Sequence, residues 1–333
     1  AGTALTTGDA NVAVGQAAFE TNNTGSYNVA IGTSSLNSNT TASNNTAVGF
    51  NSLAVNTTGA NNTAVASGAL DANTTGSYNV AVGNNALTAA TTANSNTAIG
   101  ESAMLSTTTG ADSVAVGKNA LLANTTGANN VAVGVLSLDA NTSGGSNVAL
   151  GHNALTANTT ASNNTAVGKN AISSNTTGAD NVALGYDSLK ANTTGAYNTA
   201  LGRSAGTAVT TGVRNTIIGG LSGDALTDAD DNVVLGYLAL SNDTLGNRTI
   251  AIGKGALTTQ NFTSATDTYN TAMGYNAGNQ VTTGIQNVIV GGLAGDALTV
   301  GTRNVVLGTG ALTADTQGSM STALGHYALA AQN

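Results

Sequence analysis

The stretch NTAVGFNSLAVNTTGAN, residues 45–61, recurs along the chain at a fixed spacing. Its opening phrase, Asn-(Thr/Val)-Ala-(Val/Ile/Leu)-Gly, occurs with small variations nineteen times in 333 residues, and all but one of the steps between copies are 17 residues long. The exception is the 21-residue step from Thr249 to Asn270. A short fixed period predicts a stacked architecture in which each unit contacts mainly its two neighbours.

We number the positions of the repeat as columns 1–17, so that column 1 is the first residue of each phrase. Column 1 is occupied by Asn11, Asn28, Asn45, Asn62, Asn79, Asn96, Ser113, Asn130, Asn147, Asn164, Asn181, Asn198, Asn215, Asn232, Thr249, Asn270, Asn287, Asn304 and Ser321. The unbroken phase predicts one repetitive domain over residues 1–333. Because the chain begins and ends inside a repeat, we expect it to be a piece of a longer protein.

Columns 1–5 alternate small and β-branched residues and therefore predict a short strand. Glycine follows at column 5 in all copies but one, which favours a bend. We predict a second strand over columns 8–11, held by an apolar residue at column 9 such as Leu53, and turns over columns 12–15. Two strands and two turns in 17 residues predict an all-β fold, a parallel β-solenoid of about 19 coils, with column 1 asparagines bonded to each other along the stack.

Composition excludes several classes of protein. The chain has 43 glycines, no cysteine and 7% charged residues, and its net charge is −8. We therefore expect no disulfide and no thiolate metal site, and no nucleic-acid partner, because such partners attract clusters of lysine and arginine. No stretch approaches the roughly 20 apolar residues of a membrane helix, so we expect no membrane insertion by this segment.

Charged and bulky residues fall in few columns. Columns 1–5 carry no charge in any copy, and the basic residues occupy only columns 6, 10 and 17. Those in column 6 are Lys118, Lys169, Arg203 and Lys254, with Lys190 in column 10 and Arg214, Arg248 and Arg303 in column 17. Seven of the eight tyrosines share these columns: Tyr186, Tyr237 and Tyr275 in column 6, and Tyr27, Tyr78, Tyr197 and Tyr269 in column 17. Columns 6, 10 and 17 are therefore predicted to face solvent.

Column 3 predicts self-association. We expect columns 2 and 4 to face the interior of the coil, which turns column 3 outward. Column 3 is alanine in most copies and isoleucine or valine in others, as at Ile217 and Val234. A long outward apolar column needs a cover, and an identical neighbouring chain supplies one, so we expect a homo-oligomer with cyclic symmetry.

Two irregularities interrupt the pattern. Residues 198–240 align without gaps to residues 270–312, and in the first two coils of both blocks column 9 is glycine while column 12 is apolar. The four extra residues fall within residues 258–269, where we predict a loop. That loop is either a tolerated turn insertion or a contact loop bearing Phe262 and Tyr269.

Residue types for catalysis are scarce. His152 and His326 both lie in column 6, ten coils apart, and no carboxylate occurs in columns 1–5. We can assemble no catalytic triad, acid–base pair or zinc site, so we expect a protein that is not an enzyme and has no cofactor. The acidic cluster Asp224, Asp228, Asp230 and Asp231 leaves calcium open as a ligand, with a solvated turn as the alternative.

The phrase NVAIGTSSL at residues 28–36, varied elsewhere as NTAVG and NVALG, resembles the head repeats of trimeric autotransporter adhesins, the YadA-like family. Repeats that end in TTG, such as NTTGSYNVAVGNNAL at residues 73–87, are similar to those of bacteriophage tail fibres. The resemblance covers essentially the whole chain, although the unit here is longer than in the adhesins. It implies a homotrimer of parallel β-rolls used for attachment, located outside the cell, on the cell surface or on a virion.

The sequence therefore predicts a structural and binding fibre segment that presents columns 6, 10 and 17 to a cell-surface or glycan receptor. Binding of this kind gains strength from repetition. The candidate contact residues are Phe262, Tyr269, Tyr186, Tyr237 and Tyr275. Two alternatives stay open: a purely architectural extracellular filament, and an ice-binding solenoid that uses the threonine pair of columns 13 and 14.

Overall fold

A computed structural model of the chain describes residues 1–331. These residues contain no helix and form an all-β structure of short strands. The strands are β1 (Val12–Val14), β2 (Val29–Ile31), β3 (Thr46–Val48), β4 (Thr63–Val65), β5 (Val80–Val82), β6 (Thr97–Ile99), β7 (Val114–Val116), β8 (Val131–Val133), β9 (Val148–Leu150), β10 (Thr165–Val167), β11 (Val182–Leu184), β12 (Thr199–Leu201), β13 (Thr216–Ile218), β14 (Val233–Leu235), β15 (Gly246–Asn247), β16 (Ile250–Ile252), β17 (Thr266–Asp267), β18 (Thr271–Met273), β19 (Val288–Val290), β20 (Val305–Leu307) and β21 (Thr322–Leu324).

The chain folds as two compact units, Ala1–Asn164 and a second that begins at Thr165. Both have the same architecture, in which columns 2–4 of each coil form a three-residue strand parallel to the strand of the next coil. Equivalent residues face each other, as in the pairing of Thr46, Ala47 and Val48 with Thr63, Ala64 and Val65. Each unit is thus a parallel β-solenoid with 17-residue coils, which confirms the predicted fold.

The predicted second strand at columns 8–11 is wrong, because this segment forms a series of turns. Columns 7 and 9 have positive φ, as at Asn51 (φ 53°) and Leu53 (φ 53°), so the chain curls tightly instead of extending. The turns are still bonded between coils: the Leu53 N–H donates to the carbonyl of Ala69 at 2.9 Å. Leucine rarely adopts this conformation, and complete burial of Leu53 offsets the cost.

The orientation expected for the strand is also wrong, because column 3 faces the interior. Ala47 is 0% exposed, and so are the larger column 3 residues Ile217 and Val234. Columns 2 and 4 face outward, as shown by Val182 (42% exposed) and Leu184 (47%). The space between the strand and the column 9 side chains accommodates alanine in most coils, so the bulkier residues of the strand lie outside.

Two ladders of buried asparagines, in columns 1 and 12, run through the interior. In column 1, Asn45 Oδ1 accepts the N–H of Asn62 at 2.9 Å and Asn45 Nδ2 donates to the Gly59 carbonyl at 2.9 Å. In column 12, Asn56 Nδ2 donates to Asn39 Oδ1 at 3.0 Å and also to the Gly59 carbonyl at 2.9 Å. The column 1 ladder was predicted. The second was not, since the composition of columns 12–15 predicts only a turn there.

The column 12 ladder stops where the next coil has no amide. Asn73 Oδ1 and Asn192 Oδ1 are buried without a hydrogen-bond partner. The residues one coil further, at the same column, are Ala90 and Val209, which cannot donate a hydrogen bond from their side chains. The unpaired oxygens are therefore a direct consequence of these two substitutions in the repeat.

In the variant coils, the apolar side chain of the core moves from column 9 to column 12. Leu226 is fully buried at column 12, while Gly223 replaces leucine at column 9. A Cβ on Gly223 would lie 2.9 Å from Leu226 Cδ1 and 3.5 Å from Ile217 Cγ2, so these two side chains fill the space that leucine leaves. In the second block Gly295 and the buried Leu298 occupy the same two columns, and a Cβ on Gly295 would lie 3.4 Å from Ile289 Cγ2.

Three of the four extra residues lie between Asn261 and Thr266, because Thr266 pairs with the column 15 residue Gly246, and the fourth lies between Asp267 and Tyr269. Asn261 keeps the bond typical of column 13, from its N–H to the Thr282 carbonyl at 3.0 Å. The chain is back in contact with the preceding coil at β17, which pairs with β15 in parallel. Asp243 fixes the loop, because its carboxylate accepts hydrogen bonds from Phe262 N–H at 3.0 Å and Gln260 Nε2 at 2.6 Å.

Candidate binding surface

The described residues, 1–331, form no pocket, so the candidate site is an exposed surface. Among these residues there is no long apolar helix of the kind that spans a membrane. The outward side chains are those of columns 2 and 4 on the strand face and of columns 6, 14 and 17, with column 10 partly exposed.

Column 6 of the second unit carries cations and tyrosines on consecutive coils. We call this row the column 6 stripe. Its members are Lys169, Tyr186, Arg203, Gly220, Tyr237, Lys254 and Tyr275. The three tyrosines are 45%, 50% and 53% exposed, and the three cations are exposed as well. The row therefore presents both kinds of side chain to solvent.

The backbone holds the stripe in register. The carbonyl oxygen of each stripe residue accepts a hydrogen bond from the column 7 N–H of the next coil, at distances between 2.8 and 3.2 Å. At Gly220 a Cβ would lie 3.6 Å from Tyr237 Cδ2, so the Tyr237 ring leans over the position that has no side chain. Lys254 Nζ lies 5.7 Å from the centroid of the Tyr275 ring, within reach of a cation–π interaction.

The stripe holds the cations that lack a carboxylate partner within residues 1–331. Elsewhere the basic side chains are occupied: Lys118 pairs with Glu101, Lys190 with Asp187, Arg214 with Asp231 and Arg248 with Asp267, while Arg303 bonds to Gln286. Lys169, Arg203 and Lys254 are all exposed. Within residues 1–331, none of them has a carboxylate within ion-pair distance. An incoming anion would therefore not have to displace an internal partner from these groups.

Column 17 of the second unit is a self-contained ion-pair ladder. Arg214 Nε lies 2.6 Å from Asp231 Oδ1, and Arg248 lies 3.9 Å from the other oxygen of the same carboxylate. The Arg214 guanidinium, through its hydrogen bond, lowers the pKa of Asp231. Arg248 also contacts Asp267 and lies 5.9 Å from the Tyr269 ring centroid. These charges neutralise each other, so this edge offers less net charge to a ligand than the stripe does.

The structure separates the candidate contact residues into two groups. Tyr186, Tyr237 and Tyr275 lie together on the stripe, and Tyr269 lies on the column 17 edge at 52% exposure. Phe262 is 7% exposed, so its side chain is buried and we withdraw it as a surface contact. An aromatic residue in an inserted loop can be buried as readily as it can bind a ligand, and Phe262 is buried.

Column 10 of the second unit contains two aspartates whose environment disfavours the charge. Asp224 Oδ1 and Asp296 Oδ1 are buried without a hydrogen-bond partner. Burial raises the pKa of both carboxyl groups above the ordinary value of 3.8. The two residues occupy equivalent positions in the two variant blocks, so the same unfavourable site occurs twice in the second unit.

We expect the Asp224→Asn variant to be more stable than the parent chain at neutral pH, because the amide removes a partly buried charge. Because the pKa of Asp224 is raised, the folded chain favours the protonated carboxyl group. The stability that this protonation contributes is fully present below the ordinary pKa of 3.8 and is lost as the pH rises through the raised pKa. The difference in melting temperature should therefore shrink towards pH 3.8. Thermal unfolding across this pH range measures it, with Asp9→Asn as the control for the same charge change on an exposed residue. An equal shift for both variants at all pH values would contradict the prediction.

The acidic cluster considered for calcium does not converge on one point. Asp228 accepts a hydrogen bond from Thr211 Oγ1, Asp230 accepts one from Val213 N–H at 2.7 Å, and Asp231 pairs with arginines. Residues 1–331 contain no group of three acidic, histidine or cysteine residues placed to hold a metal ion. Calcium binding by this cluster stays a hypothesis with no geometric support.

The threonine pair proposed for ice binding is split between two environments. Column 13 hydroxyl groups donate along the stack, as from Thr57 Oγ1 to the Thr74 carbonyl at 2.9 Å and from Thr74 Oγ1 to the Thr91 carbonyl at 3.0 Å. Only the column 14 residues, such as Thr58 and Thr75, are exposed. The pair does not present two parallel columns of free hydroxyl groups.

Neither a protein-family model nor a curated protein matches this sequence. Sequence reasoning placed the stripe residues in column 6 but missed that the stripe cations have no carboxylate partner. The available signal was the column assignment of each carboxylate, since column 6 of the second unit contains none.

Proposed function

We propose that this chain is a segment of an extracellular binding fibre, which self-associates through its strand face and attaches to a surface through its exposed columns. The observation that carries the proposal is the pairing of an apolar strand face with separate polar edges. A repeated edge binds weakly at each coil and gains strength from the number of coils. The resemblance to adhesin head repeats and phage tail fibres supports a location on a cell surface or virion.

The strand face supplies the contact for self-association. Columns 2 and 4 carry half-exposed valine, isoleucine and leucine on successive coils, including Leu184 (47% exposed) and Leu201 (42%). A contiguous apolar surface of this extent favours burial against another protein surface. A second copy of the chain is a fitting cover, because it carries the same face with the same spacing, and a homotrimer lets every copy make the same contact.

We expect the double variant Leu184→Glu/Leu201→Glu to lower the mass in solution about threefold, towards the 32.2 kDa of one chain, because charge on the strand face opposes its burial. Both side chains are half-exposed in the single chain, so the coil itself tolerates the change. Light scattering coupled to gel filtration measures the mass, and far-ultraviolet circular dichroism checks the fold.

The matched control is Thr177→Glu/Thr194→Glu, which places the same charges at exposed column 14 positions on neighbouring coils. This control should keep the oligomeric mass. A parent chain that is already monomeric at micromolar concentration would refute self-association.

Attachment is tested separately, with a glycan array and a cell-binding assay on the intact chain. Binding to a surface receptor supports the adhesive function. Absence of binding in both assays, for a chain that still self-associates, favours the purely architectural filament.

A further inference from the structure

We propose that the column 6 stripe binds an acidic polysaccharide, a linear glycan in which sugars bearing carboxylate groups are interspersed with neutral sugars. This inference rests on the proposed function and names the site and the ligand class. The stripe combines exposed aromatic rings with cations that have no carboxylate partner within residues 1–331. A glycan of this class needs both.

The spacing of the stripe suits an extended polymer. Successive coils lie about 4.8 Å apart, so the six steps from Lys169 to Tyr275 span about 29 Å. The column 6 to column 7 hydrogen bonds fix the register at every coil. The backbone of the stripe is therefore already ordered, and binding costs little backbone conformational entropy. A sugar ring is comparable in length to one coil, so consecutive sugars can lie over consecutive stripe residues.

The chemistry of the stripe suits sugars that carry carboxylate groups. Lys169, Arg203 and Lys254 can each form a charge-assisted hydrogen bond with a carboxylate. The tyrosine rings between them supply apolar faces on which the C–H face of a sugar can rest, with a hydroxyl group at the edge for hydrogen bonding. The carboxylate of Asp187, which follows Tyr186 in the chain, is already occupied by Lys190 at 3.4 Å and therefore repels the ligand less.

The same features argue against a nucleic acid as the ligand. Single-stranded nucleic acid binds grooves in which many cations follow the phosphate backbone. The stripe has three cations over seven coils and is flanked by columns 1–5, which carry no charge. Intermittent charge between aromatic rings fits a glycan with intermittent carboxylates.

The test measures binding of the intact chain to immobilised hyaluronan, heparosan and unsulfated chondroitin, in each of which a carboxylate-bearing sugar alternates with a neutral one, with carboxyl-reduced hyaluronan as the neutral form of the first probe. We expect binding to at least one acidic polysaccharide, with loss of affinity on carboxyl reduction and at raised salt. The variant Lys169→Gln/Arg203→Gln/Lys254→Gln should bind about tenfold more weakly or worse, on the scale of three exposed ion pairs. The variant Tyr186→Ala/Tyr237→Ala/Tyr275→Ala should weaken binding as well.

The control variants keep the fold and change other positions: Tyr27→Ala/Tyr78→Ala/Tyr197→Ala in column 17, and Lys118→Gln, whose cation is already paired with Glu101. Both should bind the polysaccharide like the parent chain. Parental affinity in the stripe variants, absence of binding to all three acidic polysaccharides, or tighter binding to single-stranded DNA would each overturn the inference. If cell or glycan-array binding persists in those cases, the adhesive function stands; if it is absent too, both proposals fall.

Discussion

The Gly83→Ala variant is expected to lose about 2–6 kcal/mol of stability, the sum of backbone strain and a steric clash. Gly83 occupies column 5 with φ +138°, a conformation that residues with a side chain rarely adopt. A Cβ there would lie 2.4 Å from the Gly100 carbonyl oxygen and 2.6 Å from its carbon. The backbone cannot easily move away, because the Gly83 N–H donates to the Val65 carbonyl at 2.9 Å. Denaturant unfolding at fixed protein concentration measures the loss.

The chain offers both a matched control and a reverse test. Gly292 lies in column 6, and a Cβ there would meet no atom within 4 Å, so Gly292→Ala should be nearly neutral. Ala66 is the one non-glycine residue in column 5 and is held at φ +106°. Ala66→Gly should therefore stabilise the chain by about 1 kcal/mol, the relief of strain less the entropy cost of glycine. Equal stability of Gly83→Ala and Gly292→Ala would refute the close approach of the coils.

The Asn62→Ala variant is expected to cost about 2–4 kcal/mol, because it interrupts the column 1 ladder inside the protein. Asn62 Oδ1 accepts the Asn79 N–H at 2.9 Å, and Asn62 Nδ2 donates to the Gly76 carbonyl at 2.8 Å. Alanine leaves the Asn79 N–H buried without its acceptor. The Gly76 carbonyl keeps one donor, Asn73 Nδ2, at 3.0 Å, so the loss falls mainly on the N–H group.

Asn84→Ala removes an exposed column 6 amide and should change the unfolding free energy little. Ser113 is a natural comparison within column 1, since its Oγ still accepts the Asn130 N–H at 3.1 Å but it has no amide to donate. Ser113→Asn should therefore gain about 1 kcal/mol. If Asn62→Ala and Asn84→Ala unfold at the same denaturant concentration, the ladder does not contribute to stability as described.

The repeat period, the strand at columns 2–4 and the exposure of columns 6 and 17 could all be predicted from the sequence. These follow from recurrence, because a residue type excluded from a column in every copy reveals the constraint on that column. The column 6 tyrosines of the candidate site were identified in the same way. The column that Lys169, Arg203 and Lys254 occupy could also be predicted from the sequence. Their lack of carboxylate partners could be established only once the structure placed the carboxylates.

Each wrong prediction has a physical reason that the repeat pattern alone does not show. Alternation in a strand separates two faces but does not say which one is inside, and the larger residues of columns 2 and 4, such as Val182 and Leu184, lie outside because the interior is narrow. The turn at columns 7–9 places leucine at positive φ, which propensity does not anticipate. Asparagine at column 12 has the composition of a turn, yet its burial depends on a partner amide 17 residues away.

The asparagine ladders also restrict how such a chain can change in length. Each ladder amide finds its partner at the same column of the adjacent coil, so deletion of one complete coil, for example residues 79–95, would bring Asn96 to the position of Asn79 against Asn62. A deletion whose length is not a multiple of 17 residues would place unlike columns against each other. The four extra residues after Asn261 are not a complete coil, and they are accommodated outside the strand pairing. The pairing resumes in register after Asn270. Genetic gain and loss in this protein should therefore occur in whole units of seventeen codons, with other insertions confined to the turns.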